Sequence, residues 1–447
     1  MQRVVKFITL GCKVNQYETN AMAQKFLEKG YKVIEEYEQN GEKPDICIIN
    51  TCTVTNMSDR KSRQMLRREK ENNKNVIVVA VGCYAQVAKN ELNKIPEIDL
   101  VLGNNEKVDI VKYVEDYINE NENNIEIEDV MQSRLFSDFG DITFTEKTRA
   151  VVKIQDGCDR FCSYCIIPYA RGRVRSRKPE SIISEITKIA EKDIKEVVIT
   201  GIHIASYGKD FKEEYKLIDL LEEINKIDGI ERIRLGSIEP LLITDEFAER
   251  LKKLDKICHH FHLSLQSGCD ETLKRMNRRY TTEQFREIVK RLRNAYNDVN
   301  LTTDIIVGFP GETEEEFEYL LDFLREARLD RVGCFAYSPV EGAQANALPG
   351  QLPDEVREER RRRFMEVQAE ISAEILRQKV GTVKRVIIDE PEDEDGVAVG
   401  RTTADAPDID GVVYVTTDAH LNPGDFVDVR ITDSREHDLI GRHVISD

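Results

Sequence analysis

The sequence predicts an α/β fold in three parts: an N-terminal parallel-sheet domain, a partial (β/α)6 barrel and a small C-terminal antiparallel β-barrel. Strand and helix patterns alternate over residues 4–105 and again from residue 149, which is the order that produces parallel sheets. Residues 381–446 instead hold short strands separated by Gly, Pro and Asp turns, the pattern of a small antiparallel barrel. We therefore expect a domain at 1–120, a linker at 121–148, a barrel with its connecting helix at 149–380 and a C-terminal barrel at 381–447.

Each of the three strands predicted in the N-terminal domain ends in a cysteine. The strand segments are VVKFITLGC, DICIINTC and NVIVVAVGC, so the cysteines are Cys12, Cys52 and Cys83. Ligands of open α/β sheets bind at the carboxyl ends of the strands. We therefore expect these three thiols, scattered over 72 residues, to converge in space.

The second part of the chain predicts six barrel strands separated by helical segments. They are AVVKIQDGC, EVVITGIHIASYG, RIRLGSIEP, HFHLSLQSG, TTDIIVGFPGE and RVGCFAYSP. Active sites of parallel βα barrels lie at the carboxyl ends of the strands. Cys158 directly follows the first of these strands, which places it at the active-site end.

The composition favours a cytoplasmic globular protein. About 40% of the 447 residues are hydrophobic, and the formal net charge is −18. No apolar run reaches the roughly 18 residues of a membrane span. The apolar run in the opening segment MQRVVKFITLGC is too short for a signal peptide. Because cytoplasmic thiols stay reduced, the ten cysteines predict metal or cluster ligation, or burial, rather than disulfides. The acidic balance argues against a protein that simply coats nucleic acid but leaves room for local basic patches.

The densest cysteine group lies in DGCDRFCSYC, where Cys158, Cys162 and Cys165 have the spacing Cys-x3-Cys-x2-Cys. Three thiolates are one ligand short of a closed zinc site or a fully ligated cubane. The odd number predicts a cluster with one iron left open for a substrate, and Tyr164 places an aromatic ring beside that iron. A zinc knuckle completed by a distant ligand is the alternative.

This spacing, with its aromatic residue, resembles the CxxxCxΦC motif of radical S-adenosylmethionine (SAM) enzymes. The resemblance implies a partial βα barrel, which matches the six predicted strands. It also implies that Cys158, Cys162 and Cys165 hold a [4Fe–4S] cluster whose free iron chelates the methionine end of SAM.

The segments TLGCKVN, INTCTVT and VGCYAQ resemble the N-terminal domain of radical SAM methylthiotransferases. This family implies an auxiliary [4Fe–4S] cluster on Cys12, Cys52 and Cys83, which presents sulfur while the first cluster cleaves SAM. It also implies an electron donor such as flavodoxin or ferredoxin, and we expect a monomer. Three ordinary buried cysteines are the alternative. Cys47 competes for a ligand role, but its position in the middle of a strand favours burial.

Five residues at the ends of barrel strands are further candidates for holding SAM. Gly201 and Gly308 would let the backbone approach a ligand closely. Ser237, Glu239 and Gln266 carry groups able to bond the ribose or the amino acid portion. A helix-capping role is the alternative for each of them.

Two basic segments predict contacts with RNA. They contain Arg171, Arg173, Arg175 and Arg177 after the barrel cysteines, and Arg63 and Arg67 on the helix predicted after Cys52. Both segments would flank the crevice between the clusters, and contacts of Arg and Lys with phosphates dominate RNA affinity. Solvated helix faces are the alternative.

The family resemblance points to two groups within the family. LGCKVNQYET, NTCTVTNMSDRKSRQ and LQSGCDETLKRMNRRYT, within residues 1 to about 315, resemble the MtaB group, which methylthiolates N6-threonylcarbamoyladenosine next to the tRNA anticodon. LDFLREARLDRVGCFAYSPVEGA and ADAPDIDGVVYV, from about residue 319, resemble the RimO group, which modifies an aspartate of ribosomal protein S12. After residue 330 Lys and Asn occur twice each and Arg twelve times, which suggests two joined segments of different ancestry.

We expect tRNA to be the substrate, because the cysteine loops and most barrel strands come from the MtaB-like segment. The predicted reaction is insertion of a methylthio group at C2 of the modified adenosine. Residues 381–447, which resemble a TRAM domain, carry six Lys or Arg against sixteen Asp or Glu, a net charge of −10. This charge would repel phosphates and attract a basic protein such as S12. The alternatives are modification of the S12 aspartate and a two-cluster electron-transfer protein.

Overall fold

The computed structural model describes residues 2–34, 43–120, 125–145, 148–407 and 409–444. Residues 125–145 of the predicted linker contain no helix or strand, yet Phe139 and Ile142 pack into the core of the N-terminal domain. The linker positions 121–124 and 146–147 lie outside the described residues. No helix in the described ranges combines the length and apolar character needed to cross a bilayer.

The N-terminal domain is a five-stranded parallel sheet in the order β2–β1–β3–β4–β5. Its strands are β1 Val4–Thr9, β2 Lys32–Ile34, β3 Ile46–Thr51, β4 Ile77–Gly82 and β5 Leu100–Leu102. Its helices are α1 Lys13–Glu28, α2 Asn56–Asn72, α3 Cys83–Val87, α4 Lys89–Leu92 and α5 Ile110–Glu120. Separate apolar cores fill the two faces of the sheet, so the central β3 is buried along its whole length. The sequence pattern predicted β1, β3 and β4 but missed β2 and β5, because three residues are too few to establish a period.

The partial barrel contains six parallel strands in chain order and one short antiparallel strand. The strands are β6 Arg149–Asp156, β7 Arg175–Ser176, β8 Glu196–Gly201, β9 Arg232–Leu235, β10 His260–His262, β11 Asn300–Val307 and β12 Arg331–Ala336. Parallel ladders join β6 to β8 and β8 to β9, and likewise β10 to β11 and β11 to β12. Isolated parallel bridges, Ile233 with Ile257 and Ile238 with Leu263, connect the two halves. The predicted six-stranded barrel is confirmed, whereas β7, which pairs antiparallel with β6, was not predicted.

Helices surround these strands and share one large core with them. They are α6 Ile167–Arg171, α7 Pro179–Ala190, α8 Leu217–Ile224, α9 Asp245–Leu251, α10 Asp270–Arg275, α11 Thr282–Ala295, α12 Glu314–Ala327 and α13 Asp354–Gln378. Thr281 and Thr313 begin α11 and α12 with capping boxes, in which hydroxyl and side-chain acceptors satisfy the first free amides. Side chains of Ile, Leu, Val and Phe fill the space between strands and helices.

The residues after α13 form a closed five-stranded barrel in the order β13–β14–β15–β17–β16. Its strands are β13 Val383–Glu390, β14 Val397–Arg401, β15 Val413–Thr416, β16 Phe426–Ser434 and β17 Leu439–His443. All neighbouring strands are antiparallel except β15 and β17, which are parallel. The predicted small barrel is therefore confirmed, apart from that parallel pairing and from β17, which the sequence pattern did not predict.

Buried ion pairs join the C-terminal barrel to the partial barrel. Arg401 pairs with Glu196 of β8 at 3.1 Å and with Asp389 of β13 at 2.5 Å. Arg234 of β9 donates to the same Glu196 at 2.9 Å, and both of these side chains are fully buried. Because Glu196 begins β8, the C-terminal barrel covers the end of the partial barrel opposite to the cysteines.

Candidate active site

A cavity of about 2070 Å³ lies where the N-terminal domain meets the carboxyl ends of the barrel strands. Cys12 lines it from the N-terminal domain, and Cys158, Cys162 and Cys165 line it from the partial barrel. The cavity continues through the partial barrel to Asp410 of the C-terminal barrel. One cysteine of the N-terminal group and all three of the barrel group therefore border one shared space.

The N-terminal cysteine set (Cys12, Cys52 and Cys83) converges at the carboxyl ends of β1, β3 and β4. Gly11 adopts a φ of +107°, and a Cβ added there would lie 2.9 Å from the Cβ of Cys52 and 3.0 Å from its Sγ. Glycine is the residue that tolerates both this φ and this approach. Burial raises the pKa of Cys52 to about 11, and the nearby thiols of Cys83 and Cys12 act in the same direction.

The side chain of Asn15 ties together the loops that carry this set. Its Nδ2 donates to the carbonyl of Leu10 at 2.7 Å and to the carbonyl of Thr51 at 3.1 Å. Leu10 and Thr51 stand close before Cys12 and Cys52 in the chain. These buried hydrogen bonds fix the two loops relative to each other.

The barrel cysteine set (Cys158, Cys162 and Cys165) lies in the loop between β6 and α6. The Cys165 amide donates to the carbonyl of Cys162 at 2.9 Å, and the Cys158 amide donates to that of Gly172 at 3.0 Å. Burial raises the pKa of Cys158 to about 11 and that of Cys165 to about 12. Arg278 donates to the Sγ of Cys162 at 3.3 Å, which places a cation beside a sulfur that must be a thiolate to bind iron.

Neither cysteine set has the geometry of a site for a single ion. Across the part of the chain that the structure describes, no three Cys, His, Asp or Glu side chains are arranged to hold one metal ion. A zinc knuckle needs its ligands around one point, whereas the thiolates of a [4Fe–4S] cluster bind separate irons.

Most residues predicted to contact SAM line the cavity. They are Tyr164, Gly201, Ser237, Glu239 and Gln266. The structure does not bring Gly308 to this site. Its amide donates to Glu312 at 2.8 Å, and a Cβ there would lie 2.3 Å from the Cγ of Arg357 on α13. This glycine serves the close packing of the loop after β11 against α13.

Two residues that were not predicted hold the carboxylate of Glu239 at the cavity wall. Nε2 of His203 lies 2.5 Å from its Oε2, and a guanidinium nitrogen of Arg160 lies 2.6 Å from the same oxygen. Burial alone would raise the pKa of Glu239, but the His203 hydrogen bond and the Arg160 charge bring it below its usual value. The group is therefore an ionised acceptor for hydroxyl or amino groups of a ligand. His203 stands two residues after Gly201, the last residue of β8. Its position after a barrel strand could therefore have marked it as a candidate site residue, whereas no sequence pattern marked Arg160.

Known relatives match nearly the whole chain. Three family models match it: the Radical SAM superfamily at residues 152–324, the uncharacterized protein family UPF0004 at 4–103 and the TRAM domain at 380–444. The threonylcarbamoyladenosine tRNA methylthiotransferase MtaB of Bacillus subtilis (strain 168) is 40% identical over 402 residues, 89% of this chain and 88% of the relative. The chain belongs to the radical SAM methylthiotransferases.

Relatives of both groups resemble this methylthiotransferase to a similar degree. The ribosomal protein uS12 methylthiotransferase RimO of Desulfitobacterium hafniense (strain Y51) is 38% identical over 449 residues, 99% of each chain. The MtaB of Aquifex aeolicus (strain VF5) is 39% identical over 86% of this chain and 92% of the relative. The names of these relatives support the reaction type and leave the choice between the two substrates open.

The radical SAM family implies one [4Fe–4S] cluster and SAM as cofactors of this methylthiotransferase. Among solved structures, the radical SAM methyltransferase TsrM from Kitasatospora setae, with cobalamin and a [4Fe–4S] cluster bound, matches with a TM-score of 0.55. It covers 91% of this chain and 82% of its own at 16% identity, so the two proteins share the fold.

Three arginines predicted to bind RNA are buried in this methylthiotransferase. Arg171, Arg175 and Arg177 have at most 1% of their surface exposed. Arg177 pairs with Glu185 at 2.7 Å, and Arg171 pairs with Glu18 at 2.7 Å. Because their guanidinium groups are directed into the interior, they do not reach a phosphate. The carboxylate partner of Arg171 lies 153 residues away in the chain, so the local pattern of alternating arginines gave no sign of it.

The other three predicted RNA contacts lie nearer the surface. Arg173 is exposed, where it forms a solvent-accessible ion pair. Arg67 on α2 is exposed, and Arg63, which is half-buried, donates to the hydroxyl of Tyr84. Helix α2 runs along the cavity, since Arg68 is one of the residues that line it.

Proposed function

We propose that this methylthiotransferase inserts a methylthio group at C2 of N6-threonylcarbamoyladenosine beside the anticodon of tRNA. The observation that carries the proposal is a single cavity lined by Cys12 of the N-terminal set and by all three cysteines of the barrel set. Helix α2 lies at its edge and carries four exposed cations that form no ion pair with a described residue. The shared cavity suits a reaction that joins SAM cleavage to sulfur delivery. The cationic helix suits a substrate rich in phosphates.

The thiols of both sets fit iron–sulfur clusters. Cys158, Cys162 and Cys165 would hold the first cluster, and Cys12, Cys52 and Cys83 would hold the second. When bound, the first supplies the electron that cleaves SAM, and the second carries the sulfur to be transferred. The positive φ of Gly11 lets its backbone pack against the side chain of Cys52, which keeps the loops of Cys12 and Cys52 together and supports the N-terminal set as one site.

The side chains around the barrel set would bind and orient SAM. The carboxylate of Glu239 accepts hydrogen bonds from its amino or hydroxyl groups, and Ser237 and Gln266 lie on the same cavity. Arg278 bonds the sulfur of Cys162 with one nitrogen and the carbonyl of Ser264 at 2.7 Å with another. It therefore holds that ligand in place from the barrel side.

Helix α2 supplies the proposed RNA surface. Its exposed cations Arg60, Lys61, Arg67 and Arg68 form no ion pair with any described residue. The two exposed arginines of α13 that line the cavity are instead neutralised: Arg361 by Glu358, and Arg362 by Glu359 and Glu366. Unpaired cations can contact phosphates without first losing an internal partner, so α2 is the better candidate for docking tRNA.

A second candidate substrate is the aspartate of ribosomal protein S12. The observation that favours it is the net charge of −10 on residues 381–447, which would attract a basic protein. Relatives named RimO also match this acidic segment, since one of them covers 99% of the chain.

Mass spectrometry of tRNA and of S12 from the same cells distinguishes the two candidates. The cells should express this chain as their only methylthiotransferase of the MtaB or RimO type. We expect the methylthio form of N6-threonylcarbamoyladenosine in tRNA and an unmodified aspartate in S12. Cells with the Cys12→Ala variant are the matched control and should lose the product. Methylthio-aspartate on S12 with unmodified tRNA would overturn the proposal in favour of the second candidate.

A further inference from the structure

Six buried charged side chains lie directly behind Cys83, between the N-terminal domain and the partial barrel. They are the cations Lys107, Lys153, Arg171 and Arg175 and the carboxylates Glu18 and Asp156. Each has at most 6% of its side chain exposed. We call this group the buried charge cluster. With all members ionised, four cations against two carboxylates give it a net charge of +2.

Glu18, the carboxylate at the centre of the buried charge cluster, is ionised in the fold. Glu18 accepts from Lys107 at 2.5 Å and from Lys153 and Arg171 at 2.7 Å each. Burial alone would raise the pKa of Glu18, but these three cations hold it well below its usual range. Burial lowers the pKa of Lys107, and Glu18 opposes that shift. Even with a neutral Lys107, one positive charge remains in excess.

Arg171 connects the buried charge cluster to the N-terminal cysteine set. Its Nε donates to the Sγ of Cys83 at 3.1 Å. Its terminal nitrogens donate to both oxygens of Glu18, at 2.7 and 3.1 Å, and to Oδ1 of Asn15 at 2.7 Å. Asn15 is the residue that fixes the loops before Cys12 and Cys52. One guanidinium group therefore touches one cysteine of the set and supports the other two.

In the described structure, no further carboxylate balances the net positive charge of the buried charge cluster. Nε and one terminal nitrogen of Arg175 are buried without a hydrogen-bond partner there. An uncompensated buried charge is strongly destabilising. The sulfur of Cys83 lies within hydrogen-bond distance of Arg171, so the proposed ligand is in direct contact with this positively charged group. The charge balance thus favours an anionic site on the N-terminal cysteine set.

We infer that the buried charge cluster makes the auxiliary iron–sulfur site on the N-terminal cysteine set easier to reduce, with Arg171, which bonds the sulfur of Cys83, as the positioning residue. This inference rests on the second cluster put forward under the proposed function. Hydrogen bonds to ligand sulfurs and nearby net charge set the reduction potential of such a site. A positive charge stabilises the added electron and raises the potential.

The test is a one-electron titration with dithionite, followed by electron paramagnetic resonance. The full-length parent carries alanine at 158, 162 and 165, so that only the auxiliary site gives a signal. Arg171→Gln removes a positive charge and should lower the ratio of reduced to oxidised cluster at a fixed potential about tenfold, or about 59 mV. Glu18→Gln removes a negative charge and should raise the same ratio. Loss of packing alone gives no reason for opposite signs.

Arg177→Gln is the matched control, because Arg177 is equally buried in the same segment but pairs with Glu185 and bonds no sulfur in the described structure. Arg177→Gln should leave the reduction potential unchanged. Arg171→Lys keeps the positive charge, so its reduction potential should stay close to that of the parent. Equal potentials in the parent, Arg171→Gln and Glu18→Gln, or shifts of the same sign, would overturn the inference. A folded Arg171→Gln chain without iron would support the placement of Arg171 at the auxiliary site, because its contact with Cys83 would then be needed to hold the cluster. A parent without iron would instead refute the second cluster itself, which is a separate failure of the proposed function.

Discussion

Glu239 owes its charge to two neighbours rather than to solvent. His203 and Arg160 both lie within hydrogen-bond distance of its Oε2, and they outweigh the burial that would otherwise favour the neutral acid. We therefore expect its proposed role in holding SAM to depend on the charge and not only on the shape of the side chain.

Glu239→Gln keeps the shape and removes the charge, so we expect SAM to bind about tenfold more weakly or worse. Isothermal titration of SAM into the anaerobically reconstituted variant measures this affinity, with iron content as a check on the cluster. Glu249→Gln, at an exposed position of α9 away from the cavity, is the matched control. Unchanged SAM affinity in Glu239→Gln would remove this residue from the SAM site.

At the scale of single residues, the sequence predicted the positions of the cysteines better than it predicted the partners of the charged side chains. Cysteines at strand ends and at fixed spacing could be identified, because strand ends of parallel sheets share one edge. The burial of Arg171 and Arg177 could not, since their carboxylates lie in other elements. The prediction that Gly308 contacts SAM was wrong, because a glycine with a positive φ can serve close packing against a helix as readily as ligand binding.

At the scale of secondary-structure elements, helix α2 has a capped N-terminus and carries several cations on its exposed face. The hydroxyl of Thr55 caps the helix by accepting from the Ser58 amide, and Leu66 anchors it to the core at 0% exposure. Its exposed cations Arg60, Lys61, Arg67 and Arg68 form no ion pair with any residue that the structure describes, which leaves them available to phosphates.

Arg67→Glu should weaken tRNA binding and reduce the salt dependence of the association constant by about one charge. Filter binding of tRNA over a series of salt concentrations measures both quantities. Arg325→Glu on α12, where the wild-type arginine is paired with Asp322, is a control of equal charge change. If both variants bound tRNA alike, α2 would be only a solvated helix face.

The elements themselves were predictable where their patterns were long. The eight-residue strands β6 and β11 gave clear signals, whereas β2, β5 and β7 have two or three residues and gave none. The parallel pairing of β15 with β17 depends on contacts across a closed barrel. A local pattern cannot specify which distant strand becomes a neighbour.

At the scale of the whole molecule, the C-terminal barrel is anchored by a buried carboxylate shared between two arginines. Arg401→Ala leaves the fully buried Glu196 with Arg234 alone, and we expect it to lower the free energy of unfolding by about 3 kcal/mol. Denaturant unfolding measures the change. Arg385→Ala, which breaks an exposed pair with Glu231, should cost less than about 1 kcal/mol. Equal costs would mean that the buried pairs do not hold the junction.

The central claim is that two separate thiolate sets on one cavity divide the chemistry between them. Its most direct test is iron content and 5′-deoxyadenosine release, measured side by side in two triple variants. Alanine at Cys158, Cys162 and Cys165 should leave about half of the iron and abolish SAM cleavage, because the cluster that binds SAM is lost. Alanine at Cys12, Cys52 and Cys83 should also leave about half of the iron but retain SAM cleavage. Full iron in either variant, or SAM cleavage that survives the loss of the barrel set, would contradict the claim.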